Sequence, residues 1–353
     1  TGIACDSRQV RPGLVFVAVR GTRKDGKSYV PEAVKRGAVA VVSESLTDTG
    51  RPYACVRVAD ARLAFSRLAA TYYGRPADRL RVIGVTGTNG KTTVCFMLRD
   101  LLAAVGSRPG LIGTIAYEVG ERTIPAARTT PDAAQLHDLL AQMVAAGCDS
   151  AVMEVSSHAL DQQRVADIAY DAAVFTNLTR DHLDYHGDMD TYFQTKLTLF
   201  DSLGESGKEA VAVVNADDPW GRRLLDSRKG RTFRLIGFGT APEADVRAVD
   251  VDVSTRGTRF KLVSPWGESA VKSPILGRFN VSNMLAAFAA AGSYGVSADV
   301  AARVFGNLRN VRGRLENVPT GRKFSVFVDY AHTDDALDHV LSTLREITPH
   351  RLM

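Results

Sequence analysis

Residues 86–93, TGTNGKTT, join glycines, a lysine and hydroxyls at a spacing suited to holding a polyphosphate. They follow an apolar run, LRVIGV (80–85), and precede a helix-like run, VCFMLRDLLAAV (94–105). In a strand–glycine loop–helix layout, backbone N–H groups and a helix N-terminus cradle phosphate. Lys91 would reach the outer phosphates, and Thr92 would place its hydroxyl on Mg²⁺. The strict G-x-x-x-x-G-K-[ST] pattern fails by one residue: Val85 stands where the first glycine belongs, and Gly84 is one place early. A chance glycine turn is the plain alternative. The flanking strand and helix favour ATP or GTP binding.

Three further stretches carry chemistry. MEVSSHAL (153–160) closes the apolar run SAVMEV, which puts Glu154 near the C-terminal edge of a sheet, where doubly wound sheets bind ligands. A carboxylate there can complete a Mg²⁺ site with Thr92, or it can pair with an arginine. VFTNLTRDHLDYHGDMDTYFQTKLTLF (174–200) also starts as a strand and turns polar at the same edge. His182 and His186 are candidate ligands there. HLDYH lacks the glutamate of H-E-x-x-H, so a zinc protease is poorly supported. Lys196 lies on an amphipathic stretch, where a solvated lysine is the plain reading, and a free ammonium has no lone pair for a metal. SVFVDYAHTDDAL (325–337) is a strand ending in Asp329 and His332 before a helix. With GRFNVSNMLAA (277–287) and VRGRLE (311–316) it could frame a base and ribose, although Asn280 could equally cap the helix that follows it.

The elements that position these residues read as α/β. The chain has 353 residues, enough for two or three domains. Residues 1–76 alternate short strands with helices, and YYGRPADRL is a plausible linker. Residues 77–313 alternate apolar strands with helical stretches, which argues a mostly parallel sheet covered on both faces. A β-rich insert (246–273) and an Ala-rich helix (280–294) close that domain. Residues 314–353 hold one strand and one helix, too little for a core, so we expect the beginning of an incomplete third domain.

Composition excludes several classes. The net charge is +5, with lysine and arginine scattered among acids and no nucleic-acid-binding signature. Cys5, Cys55, Cys95 and Cys148 form no C-x-x-C pair, so neither a zinc ribbon nor a disulfide scaffold is indicated. No apolar run approaches the ~20 residues of a membrane span, and no signal-peptide pattern opens the chain. We expect a cytoplasmic protein without membrane or nucleic-acid partners.

Together these stretches resemble the Mur ligases of peptidoglycan synthesis. More narrowly, they are similar to the MurE type, which adds the third amino acid to UDP-N-acetylmuramoyl-L-alanyl-D-glutamate. The resemblance runs from DSRQVRPG (6–13) to YAHTDDAL (330–337), nearly the whole chain. TGTNGKTT is shared with folylpolyglutamate synthases, whereas MEVSSHAL and FTNLTRDHLDYHGDMDTYFQTK are more specific. The resemblance implies a UDP-binding first domain, an ATP-binding central domain and a Rossmann-like third. It puts Gly87, Thr88, Asn89, Gly90, Lys91, Thr92 and Thr93 on the phosphates. Asn280, Asn283, Arg314, Asp329 and His332 fall on nucleotide-contacting positions. Ser7, Thr22 and Arg23 fall on the uridine end; Thr129, Thr130, Ser156, Gln162 and Arg164 fall near the muramoyl and phosphate part.

The family's lysine in YF-x-x-K is carbamylated, and Lys196 matches it. A carbamate would turn that ammonium into a carboxylate-like ligand. Thr92 and Glu154 would then bind one Mg²⁺, with Glu154, His182 and carbamylated Lys196 binding a second; Lys91, Glu154, His182 and Lys196 would be the catalytic set. The implied partners are the UDP-N-acetylmuramoyl-dipeptide, ATP and an amino acid, either meso-diaminopimelate or L-lysine, and we expect a monomer. Asp334 replaces a proline common in the family; proline in a first helical turn is replaceable, so little effect is expected. With most of the third domain absent, we expect binding with scarcely any turnover. A folylpolyglutamate-type ligase or a nucleotide-binding regulatory protein are the alternatives.

Overall fold

The structure is a computed structural model that describes residues 2–21, 24–45, 53–204, 207–227, 232–322, 324–348 and 351–353. Thr22 and Arg23, expected at the uridine end, lie outside the described residues.

The N-terminal part is a four-stranded parallel sheet in chain order: Gly2–Ala4, Leu14–Val17, Ala40–Ser43 and Ala54–Arg57. The first of these strands escaped the sequence reading. Helix Ala61–Tyr72 follows, started by Asp60, whose carboxylate accepts from the N–H groups of Arg62 (2.8 Å) and Leu63 (3.0 Å). A short 3-10 turn, Pro76–Arg79, leads into the next sheet.

That sheet has eleven strands. Seven run parallel, in the order Val246–Ser254, Arg234–Gly239, Val211–Asn215, Ala172–Phe175, Arg81–Thr86, Ser150–Glu154 and Pro109–Ile112. The five strands from Val211–Asn215 to Pro109–Ile112 are buried on both faces, which is why they read as apolar runs, whereas Val246–Ser254 exposes Asp250 and Asp252. Antiparallel hairpins extend both edges: Gly257–Ser264 with Gly267–Ser273, and Ala116–Val119 with Arg122–Pro125. The stretch read as a β-rich insert is therefore a continuation of this sheet. Helices Lys91–Ala103, Arg278–Gly292 and Ala298–Gly306 pack one face; Ala133–Ala145 and Met189–Asp201 pack the other. From Arg81–Thr86 the chain passes to one side of that strand and later returns on the other. Its C-terminal end is thus the switch point where a cleft opens.

Residues 316–347 form a hairpin, Glu316–Val318 with Val326–Val328, and helix Asp334–Ile347. Leu276, Leu315, Leu344 and Ile347 tie this segment to the central body. Among the described residues no helix is long and apolar enough to cross a membrane.

Two polar groups, half-buried Lys208 and buried His137, bear on stability. Lys208 Nζ donates to the carbonyls of Ala77 (3.2 Å), Leu80 (3.1 Å) and Ala169 (3.2 Å) and to Asp171 (2.8 Å), stapling the linker turn to the sheet. His137 is fully buried on helix Ala133–Ala145, and neither ring nitrogen has a partner. Burial, reinforced by the nearby Arg75 guanidinium, pushes its pKa down to about 4. The folded protein therefore holds a neutral imidazole, while the unfolded chain takes up a proton below about pH 6.5. This contribution is fully present above pH 6.5 and is lost as pH falls toward 4, at about 1.4 kcal/mol per pH unit. Between pH 7 and 5, His137→Leu should lose about 2 kcal/mol less stability than the parent in urea denaturation. An equal drop in both proteins would reject this account.

Candidate functional site

The phosphate loop leaves strand Arg81–Thr86 and enters helix Lys91–Ala103 through Gly90, whose φ is 88°. A Cβ at Gly90 would strike Asn283 Oδ1, and one at Gly87 would strike Thr176 Oγ1, so both positions need glycine. The neighbouring strand end, TNLT, holds the loop. Asn177 accepts from the N–H groups of Thr88 and Asn89, each at 2.9 Å, through its backbone and side-chain oxygens. Thr176 Oγ1 donates to the Asn89 carbonyl at 2.7 Å. Gly90→Ala puts a side chain into left-handed backbone, at a cost of about 1–2 kcal/mol. The loop relieves this by leaving its shape, so MgADP affinity should fall about tenfold or more; calorimetry showing unchanged affinity would refute this.

Lys91 Nζ donates to the Gly87 (2.9 Å) and Thr88 (2.8 Å) carbonyls. Burial lowers its pKa, with Glu154 opposing and Arg314 adding to the shift. Glu154 is 1% exposed. Its Oε2 accepts from Thr92 Oγ1 (3.1 Å) and Thr114 Oγ1 (3.0 Å), and its Oε1 from the Thr114 N–H (2.7 Å). Among the described residues no arginine, lysine or histidine forms an ion pair with it. A buried carboxylate with hydroxyl and amide donors but no paired cation fits a hard cation held beside Thr92. No group of three or more His, Cys, Asp or Glu among the described residues is already arranged around a metal position.

A cleft of about 260 Å³ joins Thr88–Thr93 to Thr114, Thr129, Glu154, Asp181, His182 and Arg314. His182 has φ 53° and lies before helix Leu183–His186, and burial lowers its pKa despite the adjacent Asp181. His186 instead bonds Ser157 Oγ at 2.9 Å, so the two histidines are not a zinc pair. Lys196 does not line the cleft. It is 1% exposed beneath the loop, donates to the Gly87 carbonyl at 3.0 Å, and has a pKa held well below the usual range by burial and by Lys91. The solvated lysine that an amphipathic stretch suggests is thereby corrected: it sits on the buried face.

A second pocket, about 340 Å³, is lined by Asn89, Gly90, Asn283, Arg314, Asp329 and His332, together with Phe279 and Asp217. Asp329 accepts from the N–H groups of Leu315 (2.6 Å) and Ala331 (2.7 Å), which shapes the wall. Asn280 does not line this pocket; it accepts from Asn283 Nδ2 at 3.0 Å and donates to the Leu276 carbonyl. Nor is it a cap, because it is the third residue of helix Arg278–Gly292.

On the other side of Glu154, Thr130 Oγ1 donates to its carbonyl (2.8 Å) and accepts from the Ser156 N–H (3.1 Å). Arg164 donates to the Thr130 carbonyl (3.0 Å) and to Gln162. Thr129 reaches the cleft through Thr114 Oγ1, at 3.0 Å. Ser7 is remote, donating to Glu32 at 2.9 Å in the first sheet's domain. Sequence reasoning missed Thr114, Asp181 and Asp335. Asp335, on the C-terminal helix, accepts from Asn89 Nδ2 at 3.0 Å and faces His339 at 3.4 Å. The polar TRDH run flagged Asp181's neighbourhood, whereas Thr114 sits in an apolar stretch with no local signal.

A phosphate loop at a sheet switch point, a buried acid beside it without an ion-pair partner among the described residues, and an adjoining pocket define a nucleotide-binding protein of the α/β class. The family follows from comparison with known proteins. Residues 1–73 match the description "Mur ligase family, catalytic domain", and residues 85–291 match "Mur ligase middle domain". The chain belongs to the Mur ligases. It is 45% identical to a UDP-N-acetylmuramoyl-L-alanyl-D-glutamate–2,6-diaminopimelate ligase of Geobacter sulfurreducens, over 100% of this chain and 69% of that protein. It is 44% identical to the ligase of the same name from Solibacter usitatus, over 100% and 71%. A solved structure bearing that enzyme name superposes with a TM-score of 0.83 at 33% identity, covering 98% of this chain and 70% of that one.

Proposed function

We propose that this chain belongs to a ligase that uses ATP to join 2,6-diaminopimelate to UDP-N-acetylmuramoyl-L-alanyl-D-glutamate. The observation that carries it is Glu154, buried and unpaired between the phosphate loop and the Thr129–Thr130 segment. It stands where a nucleotide's outer phosphate and an acceptor carboxylate would meet.

The terminal D-Glu carboxylate attacks the γ-phosphorus; the bond to the bridging oxygen breaks and ADP leaves with its electron pair. The amine then attacks the acyl carbon, the amide forms, and phosphate departs. The protein must bring like charges together. Lys91 offsets their repulsion and is already directed at the loop carbonyls that border the phosphates. Thr92 and Glu154 would hold one Mg²⁺, and Glu154, His182 and carbamylated Lys196 a second. These ions supply charge neutralisation on the transferring phosphoryl group. Burial favours the carbamate, because a neutral amine attacks CO₂ and releases one proton.

Asn283, Arg314, Asp329 and His332 hold the nucleotide, with Asn280 acting through Asn283. Thr129, Thr130, Ser156, Gln162 and Arg164 hold the muramoyl side, and Ser7, Thr22 and Arg23 the uridine end. Use of ATP and a nucleotide-linked substrate supports a cytoplasmic setting, and a monomer is part of this reading. The folylpolyglutamate-type alternative is not favoured, given relatives of one enzyme name at 44–45% identity.

The test follows ADP release from the dipeptide substrate in the protein taken to the length of its relatives, with 2,6-diaminopimelate and L-lysine as rival amines. Release that depends on diaminopimelate supports the proposal. Release with lysine alone overturns the amine, and MgATP binding without release under either amine favours a regulatory nucleotide binder.

A further inference from the structure

A third cavity, about 390 Å³, shares Thr93 and Arg314 with the nucleotide pocket. Phe96, Met97 and Ile115 give it an apolar floor. Its wall is the connection NLRNVRGR (307–314), which brings Arg309, Arg312 and Arg314 to one space. Arg99 and Asp100 complete the charged lining and neutralise each other at 2.7 Å, with Arg99 also bound to Glu118 at 2.8 Å. Arg314 is engaged, donating to Thr92 Oγ1 at 3.2 Å. Arg309 and Arg312 differ: among the described residues neither side chain has a hydrogen-bond or ion-pair partner. Two solvent-exposed guanidinium groups, three residues apart on one connection, border a cavity whose one acid among the described lining residues, Asp100, is paired with Arg99.

We infer that this cavity is a binding site for a tetrahedral oxyanion, and that the inorganic phosphate released by ligation occupies it. The occupant rests on the ligase reading; the anion site rests on the arginines. Guanidinium forks match the edges of a phosphate with paired N–H donors. The cavity shares Thr93 and Arg314 with the reaction cleft, and Ile115 adjoins that cleft's Thr114. Amide formation breaks the acyl carbon–oxygen bond, and phosphate leaves with that electron pair while the amine nitrogen gives a proton to solvent. ADP still fills the nucleotide pocket at that moment. The arginine cavity offers phosphate a way out that avoids it.

The experiment titrates inorganic phosphate into this chain, both nucleotide-free and saturated with MgADP, and follows ³¹P line width. The parent is compared with R309Q/R312Q, R309K/R312K and K91A. The glutamine pair should weaken phosphate binding on the order of tenfold, with MgADP affinity unchanged within about twofold. The lysine pair should fall between, because it keeps the charge and loses the fork. Equal phosphate binding by the parent and the glutamine pair overturns the site. So does binding abolished by K91A and untouched by R309Q/R312Q, which would put the anion on the phosphate loop. A parent that takes phosphate on these arginines yet binds no MgADP would keep the anion site and count against the ligase reading.

Discussion

Alanine at Lys91 should cut ADP release by about 10³-fold or more, as expected when a cation facing a transferring phosphoryl group is lost. Lys91 sits at the first turn of the helix that the loop enters, 2.9 Å and 2.8 Å from two loop carbonyls. Its lowered pKa reflects burial, which an arriving polyphosphate would reverse by supplying negative charge. The apparent binding of MgATP should weaken as well, because the same ammonium meets ground-state phosphate. Circular dichroism should be unchanged, since no packed core side chain is lost. The assay is ADP release in the protein of relatives' length, beside MgATP calorimetry on this chain. Near-normal release would remove Lys91 from the mechanism.

Lys196→Met should have an effect of similar size, about 10³-fold on turnover, but with a different signature. The side chain lies beneath the loop, outside both the cleft and the nucleotide pocket, so MgADP affinity should hold within a few-fold. Burial and the neighbouring Lys91 hold its pKa well below the usual lysine range, which favours the neutral amine, the form that adds CO₂. With ¹³C-bicarbonate the parent should show a carbamate carbon resonance that the variant lacks. Activity of the parent should fall on degassing and return with bicarbonate. If instead Lys196 merely props the Gly87 carbonyl, no carbamate signal will appear, and bicarbonate will leave the rate unchanged.

Much of this architecture is legible from residue order. The buried parallel strands announce themselves as apolar runs because both faces are covered, and the phosphate loop stands out because glycines are forced at Gly87 and Gly90 by close neighbours. The edge hairpin, Ala116–Val119 with Arg122–Pro125, does not stand out: its strands have four residues each, and one of them is largely exposed. Lys196 looks solvated because type predicts exposure, while its actual burial depends on a loop 109 positions away. Asn280 passes for a cap, although the helix starts at Arg278 behind Gly277. Thr114 is invisible for a related reason. Its importance comes from Glu154, forty positions on, and no local period records that pairing.

The bond from Asn89 to Asp335 joins the phosphate loop to a helix 246 positions later in the chain. Such a link obeys reciprocity: whatever factor nucleotide applies to the docking of that helix, docking applies to nucleotide affinity. Occupancy of the loop and placement of the C-terminal segment are then one equilibrium viewed from two ends. A substitution at Asp335 should change the affinity for nucleotide, and a nucleotide seated in the pocket that Ala336, His339 and Val340 help to line should change how tightly the helix is held.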